Sequence, residues 1–332
     1  MSNQITRRNF FNLAKLFILF ILTSCSKAVN NIHIVFPNTF IPVAIKSLFP
    51  KSWIKANIDY EQIKSDRFFS KFKNNNILLI NDGWIGRVDL SEFRRFSPNF
   101  LNKLDIKARK LLDSYDPNNK EKLFPIGVTP YVLVFKKNNL MKMTENRSWD
   151  VLIDPYLKGK IILPESPRVI SSISEKISKA NSLNKLLAQD PIYDDRNALN
   201  WLINSDKIFA VLPLTICQKF LKFDSRLTLC FPDEGVPLMW YFLLFKFDFD
   251  YGYLFEWIKS LENSKNVNKL FLEGWYLPWQ GKNIEITYTD NYLSLGLNRP
   301  SEICWRNSWS FPPLIESENK KLENLFSNTL IP

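Results

Sequence analysis

Ile77-Leu78-Leu79-Ile80 is an unbroken apolar run that stops abruptly at Asn81-Asp82-Gly83-Trp84. A strand without a polar face must be covered on both sides, as a parallel strand is inside an α/β sheet. The chain before it agrees. Ile32-His33-Ile34-Val35-Phe36 reads as a strand that ends at Pro37-Asn38-Thr39-Phe40. Residues 41–48 read as a helix with Pro42 in its first turn. Residues 54–60 read as a second strand, and 65–72 have helical apolar spacing. Strand and helix alternate, and two strand ends carry unusual side chains: Asn38, Thr39 and Phe40 on one, Asp82 and Trp84 on the other. Open α/β sheets bind ligands at such carboxyl ends.

The alternation continues. Residues 90–96 and 101–115 read as surface helices, and Leu123 to Pro130 as extended chain broken by Pro and Gly. Tyr131-Val132-Leu133-Val134-Phe135 is a strong strand and the first candidate boundary. Ser148 can cap a short helix holding Trp149 and Leu152. A strand at 161–163 then runs into Glu165-Ser166-Pro167-Arg168. Helices are expected at 170–177, 182–187, 198–203 and 215–221, and strands at 207–212 and 227–231. After the turn Pro232-Asp233-Glu234-Gly235, residues 238–245 form an apolar strand that reads as the return crossing. Helices at 251–261 and 266–271 lead to Gly274-Trp275-Tyr276-Leu277-Pro278-Trp279. The tail is poorly patterned until 318–326. The length suits two domains of ordinary size.

The amino terminus sets the compartment. Arg7 and Arg8 precede an apolar run at 16–22, and Leu22-Thr23-Ser24-Cys25 follows. Charge, a short apolar core and small residues in that order make a secretory signal. The run is too short for a permanent span. Leu22-Thr23-Ser24-Cys25 resembles the bacterial lipobox, which implies lipidation of Cys25. Thr6-Arg7-Arg8-Asn9-Phe10-Phe11 resembles a twin-arginine motif but departs at Phe11 and Asn12, so the general and twin-arginine routes both stay open. The expectation is a signal peptide at 1–24, a lipid-linked tether at 25–30, and a mature part that is a periplasmic or cell-surface lipoprotein.

The formal charge is +11, of which Arg7, Arg8 and Lys15 supply three, leaving the mature part near +8. The cations are dispersed and no glycine-rich phosphate loop appears, so nucleic acid is not an expected partner. Beyond Cys25 stand Cys217, Cys230 and Cys304. One disulfide, Cys217 to Cys230, and buried free thiols are both open. The single histidine, His33, excludes a Ser-His-Asp triad except at the tether, and one His with three scattered Cys has no metal-site spacing. No catalytic residue, cofactor or metal is expected.

Four segments carry a family resemblance. They are Ser148-Trp149-Asp150-Val151-Leu152 with Tyr156-Leu157-Lys158-Gly159-Lys160; the strand at 161–163 into Glu165; Pro232-Asp233-Glu234-Gly235 ahead of Trp240; and the paired helices ending at Gly274-Trp275-Tyr276-Leu277-Pro278. Together they resemble an extracellular solute-binding protein of an ABC importer, nearest the spermidine/putrescine-binding family. The resemblance implies an α/β type II periplasmic-binding-protein fold, with two lobes joined by crossing strands. Lobe one would be 30–130 and 240–332, and lobe two 131–239. A solute would bind between them at Asn38, Thr39, Phe40, Asp82, Trp84, Glu165, Ser166, Arg168 and Trp240. It also implies partners: a small solute, the ABC permease and ATPase subunits, and the membrane through Cys25. The protein would be a monomer.

The chemistry agrees with an amine. A flexible chain of ammonium groups needs carboxylates at intervals and aromatic faces. Asp82 and Glu165 are the acids, and Phe40, Trp84 and Trp240 the faces. This chain departs from the family where Phe242 replaces an acid, and where Arg168 stands near Glu165, to pair with it or to serve an anionic ligand; a less charged or anionic solute therefore stays open beside the amine. Asp233 and Glu234 compensate only if they face the cleft. The rival reading is a structural or assembly lipoprotein whose degenerate cleft fills with its own aromatics. The adjacent tyrosines of ferric-binding relatives are absent.

Overall fold

The computed structural model describes residues 32–37, 41–58, 76–137, 147–246, 252–279 and 299–326. The leader, Cys25, the tether, the loop with Asn38, Thr39 and Phe40, and the expected helix at 65–72 lie outside the described residues. The strands are β1 His33–Pro37, β2 Ile54–Ile58, β3 Ile77–Asn81, β4 Phe124–Lys136, β5 Ile161–Leu163, β6 Ile192–Tyr193, β7 Phe209–Pro213, β8 Leu227–Cys230 and β9 Leu238–Phe245. The helices are α1 Val43–Leu48, α2 Pro98–Leu101, α3 Ile106–Asp113, α4 Pro167–Ser174, α5 Ser182–Leu187, α6 Ala198–Asn204, α7 Leu214–Phe223, α8 Gly252–Ser260, α9 Ser264–Phe271, α10 Glu302–Asn307 and α11 Glu316–Phe326. Among the described residues no helix is long and apolar enough to cross a membrane.

β3 is buried along its whole length, as its apolar run requires. It pairs parallel with β1 and antiparallel with β9. The pairing that shapes the molecule belongs to β4. Its first half, Phe124 to Pro130, lies antiparallel to β9. Its second half, from Tyr131, leaves β9 and lies between β7 and β8. Pro130 has no N–H to extend the first ladder, and the register has already shifted between Pro125 and Gly127. One strand therefore belongs to two half-sheets. The first runs β2-β1-β3-β9-β4, and the second runs β8-β4-β7-β5-β6.

The chain returns to the first half-sheet where it was expected to: it leaves β8, the Pro237 carbonyl accepts from Tyr131 N–H at 2.9 Å, and β9 then pairs with β3 and the first half of β4. Two expectations change. Residues 90–96 form only a short 3-10 turn at Leu90–Glu92. Phe93 and Phe96 are drawn against the sheet edge instead, where Arg94 N–H donates to the Phe245 carbonyl at 2.9 Å. There the Phe96 ring meets Phe124 at 5.0 Å and Phe245 at 4.8 Å. Residues 311–326, expected with the first half, cross to the second: α11 packs on α4, and Arg168 donates to the Pro312 carbonyl. Pro312-Pro313 holds the chain extended over the gap.

The Trp149 segment is structural. Ser148 Oγ accepts from Asp150 N–H at 3.1 Å, and the buried Trp149 indole donates to the Gly235 carbonyl at 2.8 Å. Gly235 has φ +95°, and a Cβ there would sit 2.4 Å from the Asn307 backbone. All three described cysteines are buried and free, which decides between the two readings of Cys217 and Cys230.

Candidate functional site

The two half-sheets end on a shared cleft of about 310 Å3. From the first half come Asn81, Asp82, Gly83 and Trp84, at the carboxyl end of β3. From the second come Glu165 and Ser166, between β5 and α4, Pro167 and Arg168, in the first turn of α4, and Asp195, just after β6. Tyr131, where β4 changes partner, forms the floor with Met239, and its hydroxyl lies 3.9 Å from the Met239 sulfur. Phe311 closes one side.

Asp82 is the central group. Its Oδ1 accepts from Gly83 N–H at 3.1 Å, while Oδ2 is buried and has no donor. Burial drives its pKa up to about 7, against the weaker downward pull of the Arg168 guanidinium and of the Trp240 and Gly83 backbone N–H groups. Asp195 repeats the arrangement from the opposite half. Its Oδ2 accepts from Glu165 N–H at 3.1 Å, and Oδ1 is buried without a donor. Burial, with the nearby Glu165 and Asp194 carboxylates, holds its pKa at about 7 although Arg196 and the Glu165 N–H pull it down. An unmet buried carboxylate oxygen is a demand for a donor.

Arg168 is the counterweight. It follows Pro167, which opens α4 behind the Ser166 cap; Ser166 Oγ accepts from Val169 N–H at 3.5 Å. Its guanidinium donates to the Pro312 carbonyl, lies 5.0 Å over the Phe311 ring, and shares its field with Asp82 and Tyr115. Burial lowers the Arg168 pKa, and those two groups and Glu318 raise it in part. Tyr115, beside Asp82, has its hydroxyl pKa raised by burial and by that carboxylate. The Trp84 ring is half-buried at the cleft, with Arg87 at 5.3 Å on it.

Of the expected residues, the cleft brings together Asp82, Trp84, Glu165, Ser166 and Arg168. Trp240 is corrected. Its ring has 0% exposure, lies in the core, and donates to Ser310 Oγ at 2.8 Å. It alternates with Met239 along β9, and the side chain turned to the cleft is Met239. Asp233 and Glu234 do not line the cleft: Asp233 faces Arg147 at 3.8 Å, and Glu234 accepts from Ser148. Sequence reasoning missed Asp195, Tyr131, Met239 and Phe311. Asp195 was findable by the strand-end rule, but β6 has two residues and leaves no periodicity to read. Among the described residues no group of three or more His, Cys, Asp or Glu is placed to hold a metal ion.

No family model and no curated protein matches this sequence. Solved structures do match in shape. The spermidine/putrescine ABC transporter substrate-binding protein PotD from Streptococcus pneumoniae aligns over 90% of this chain and 98% of its own, with a TM-score of 0.64 and 12% identity. A ferric binding protein from Campylobacter jejuni aligns over 90% and 99%, with a TM-score of 0.63 and 12% identity. An ABC transporter structure from Clostridium perfringens aligns over 90% and 98%, with a TM-score of 0.62 and 12% identity. The fold is thus the two-lobed α/β fold of the type II periplasmic binding proteins. At these identities what is shared is the fold, and ligand chemistry has to be argued from this chain's own side chains.

Proposed function

We propose that this chain is the exported substrate-binding component of an ABC importer, which captures a small cationic amine between two lobes and presents it to a membrane permease. The observation that carries the reading is the pair of buried carboxylate oxygens, Asp82 Oδ2 and Asp195 Oδ1, which face one cleft from opposite half-sheets and lack donors. An ammonium group supplies donors and charge together. The Trp84 and Phe311 rings offer faces for methylenes and cations. The spermidine/putrescine protein among the structural neighbours supports the same solute class. Capture works by desolvation. The acids attract the amine in the open form, and closure of the lobes about β4 excludes water and strengthens each contact. Lobe one comprises 30–130 and 240–332, lobe two 131–239, with the tail of lobe one reaching α4 of lobe two through Pro312 and α11, and Cys25 tethers the monomer by lipid to the outer face of a membrane.

One observation favours the rival, a structural or assembly lipoprotein with a self-filled cleft. Arg168, pinned to Pro312 and Phe311, already holds a cation in the field of Asp82. Isothermal titration separates the two, using putrescine, spermidine, neutral amino acids and citrate. The receptor reading expects amines alone to bind, with Asp82→Asn weakening them about tenfold or more, since a charged hydrogen bond is lost. Silence from every solute, at any concentration that leaves the protein folded, sinks the receptor and leaves the self-filled cleft.

A further inference from the structure

Outside the cleft, a larger cavity of about 1240 Å3 opens between α3 and α10. Among the described residues, five cationic side chains line it, Lys107, Lys110, Arg147, Arg299 and Arg306, against two carboxylates, Asp105 and Glu302. Asp105 is already engaged: it caps α3 and accepts from Ala108 N–H at 2.8 Å. Lys107 stands half-buried in the wall. Its Nζ donates to the carbonyls of Arg306 at 3.2 Å and Ser308 at 2.9 Å, and lies 5.9 Å over the Trp305 ring. Trp279 supplies the second observation. It lines the cavity at 3% exposure, and its buried indole N–H has no acceptor. A donor left unmet in the interior is costly, and one set among cations calls for an anionic acceptor. The cavity is separate from the cleft. The extended strip at 308–312 walls the two apart, with Ser308, Ser310 and Pro312 on this side and Phe311 on the other.

We propose that this cavity is an anion site for a phosphate-bearing group, with Lys107, Lys110 and Arg306 supplying charge and the Trp279 indole supplying a buried hydrogen bond. Phosphate suits the lining better than carboxylate does. It carries three strong acceptors for a lining that offers donors from two helices and an indole, and the space far exceeds what one carboxylate needs. The phosphate belongs either to a free compound or to a lipid headgroup, and the two share this chemistry.

The test is calorimetric titration of the full chain with inorganic phosphate, pyrophosphate and dihexanoyl-phosphatidylglycerol below its micelle concentration. Dihexanoyl-phosphatidylcholine is the charge-neutral control. Binding of phosphate or pyrophosphate alone assigns a free phosphate compound, and binding of the phosphatidylglycerol alone assigns a headgroup. For the probe that binds, the double variant Lys110→Glu with Arg306→Glu loses about tenfold or more in affinity. Trp279→Phe loses about threefold, and the cleft variant Asp82→Asn binds as the parent does. The charge changes are on exposed side chains, so the double variant tests the idea even if Trp279→Phe does not fold. The proposal is overturned if no probe binds, if the double variant binds as tightly as the parent, or if the phosphatidylcholine matches the phosphatidylglycerol.

Discussion

At the scale of single residues, the cleft is governed by two carboxyls that the fold holds near neutrality. Asp82 and Asp195 rise from an ordinary carboxylate value to about 7, chiefly because burial disfavours their charge. Their folded pKa is raised, so each stabilises the folded chain fully below the unfolded value near 3.8 and loses that contribution as pH rises through about 7. The ligand-free protein should therefore melt at lower temperature at pH 8 than at pH 5, and Asp82→Asn should flatten that slope in a calorimetric scan. Amine binding runs the other way, because it needs the ionised acids. Affinity for putrescine should rise about tenfold or more from pH 6 to pH 8, with protons released to buffer near pH 6.5 in titrations run in buffers of different ionisation enthalpy. A pH-independent affinity would count against Asp82 and Asp195 as the contacts. Gly127 is a different kind of residue, where only the absence of a side chain matters. A Cβ on it would fall 1.8 Å from the Trp275 ring, which itself packs on Tyr241 at 4.6 Å, tilted by 31°. Gly127→Ala should cost about 1–3 kcal/mol or more by overpacking, read from the urea midpoint. Asp82 was legible in the sequence because a carboxylate closes an apolar strand. Gly127 was not, since its need for bareness comes from an indole 148 positions further along the chain.

At the scale of elements, β4 and the start of α4 decide the site. β4 is a single strand that serves two ladders, so the cleft floor, Tyr131, sits where one pairing stops and the other begins. The start of α4 delivers Ser166, Pro167 and Arg168 to the cleft, and the tail meets it there through Pro312, Phe311 and α11. Arg168 therefore does two jobs: it ties the tail down and keeps a cation beside Asp82. Arg168→Met should lower the melting midpoint by a few degrees, as a charge-assisted hydrogen bond worth about 1.5–3 kcal/mol is lost. It should also tighten amine binding about threefold or more, because Asp82 loses its resident counter-charge. A variant whose amine affinity falls would show that Arg168 helps the ligand rather than competing with it. Most strands were read from apolar runs close to where they lie, β9 among them. The failures were the surface helix at 90–96, where two phenylalanines turned to the sheet, the helix at 101–115, of which only Ile106–Asp113 forms after Leu101, and β6, two residues with no pattern to read.

At the scale of the whole molecule, the three described thiols report on the core. Cys217 and Cys304 are pushed up to about 12 by burial, and Cys230 is also raised by burial. All three are free. An aromatic disulfide reagent should leave them unlabelled in native buffer and label all of them in denaturant, at a rate set by global opening. A bond between Cys217 and Cys230 would appear as two missing thiols. What the amino-acid order determined by itself is local: where strands and helices lie, that they alternate into an α/β fold, and that acidic and aromatic residues close the strands. Those follow from periodicity and from the backbone limits of proline and glycine, which act over a few residues. Only the tertiary structure decided which strand ends share a cleft. It placed Asp195 across from Asp82, sent Trp240 into the core and Met239 to the floor, and laid the tail on Arg168. Burial at Asp82 depends on groups such as Arg168 and Trp240, 86 and 158 positions along the chain, and no short window of sequence contains them.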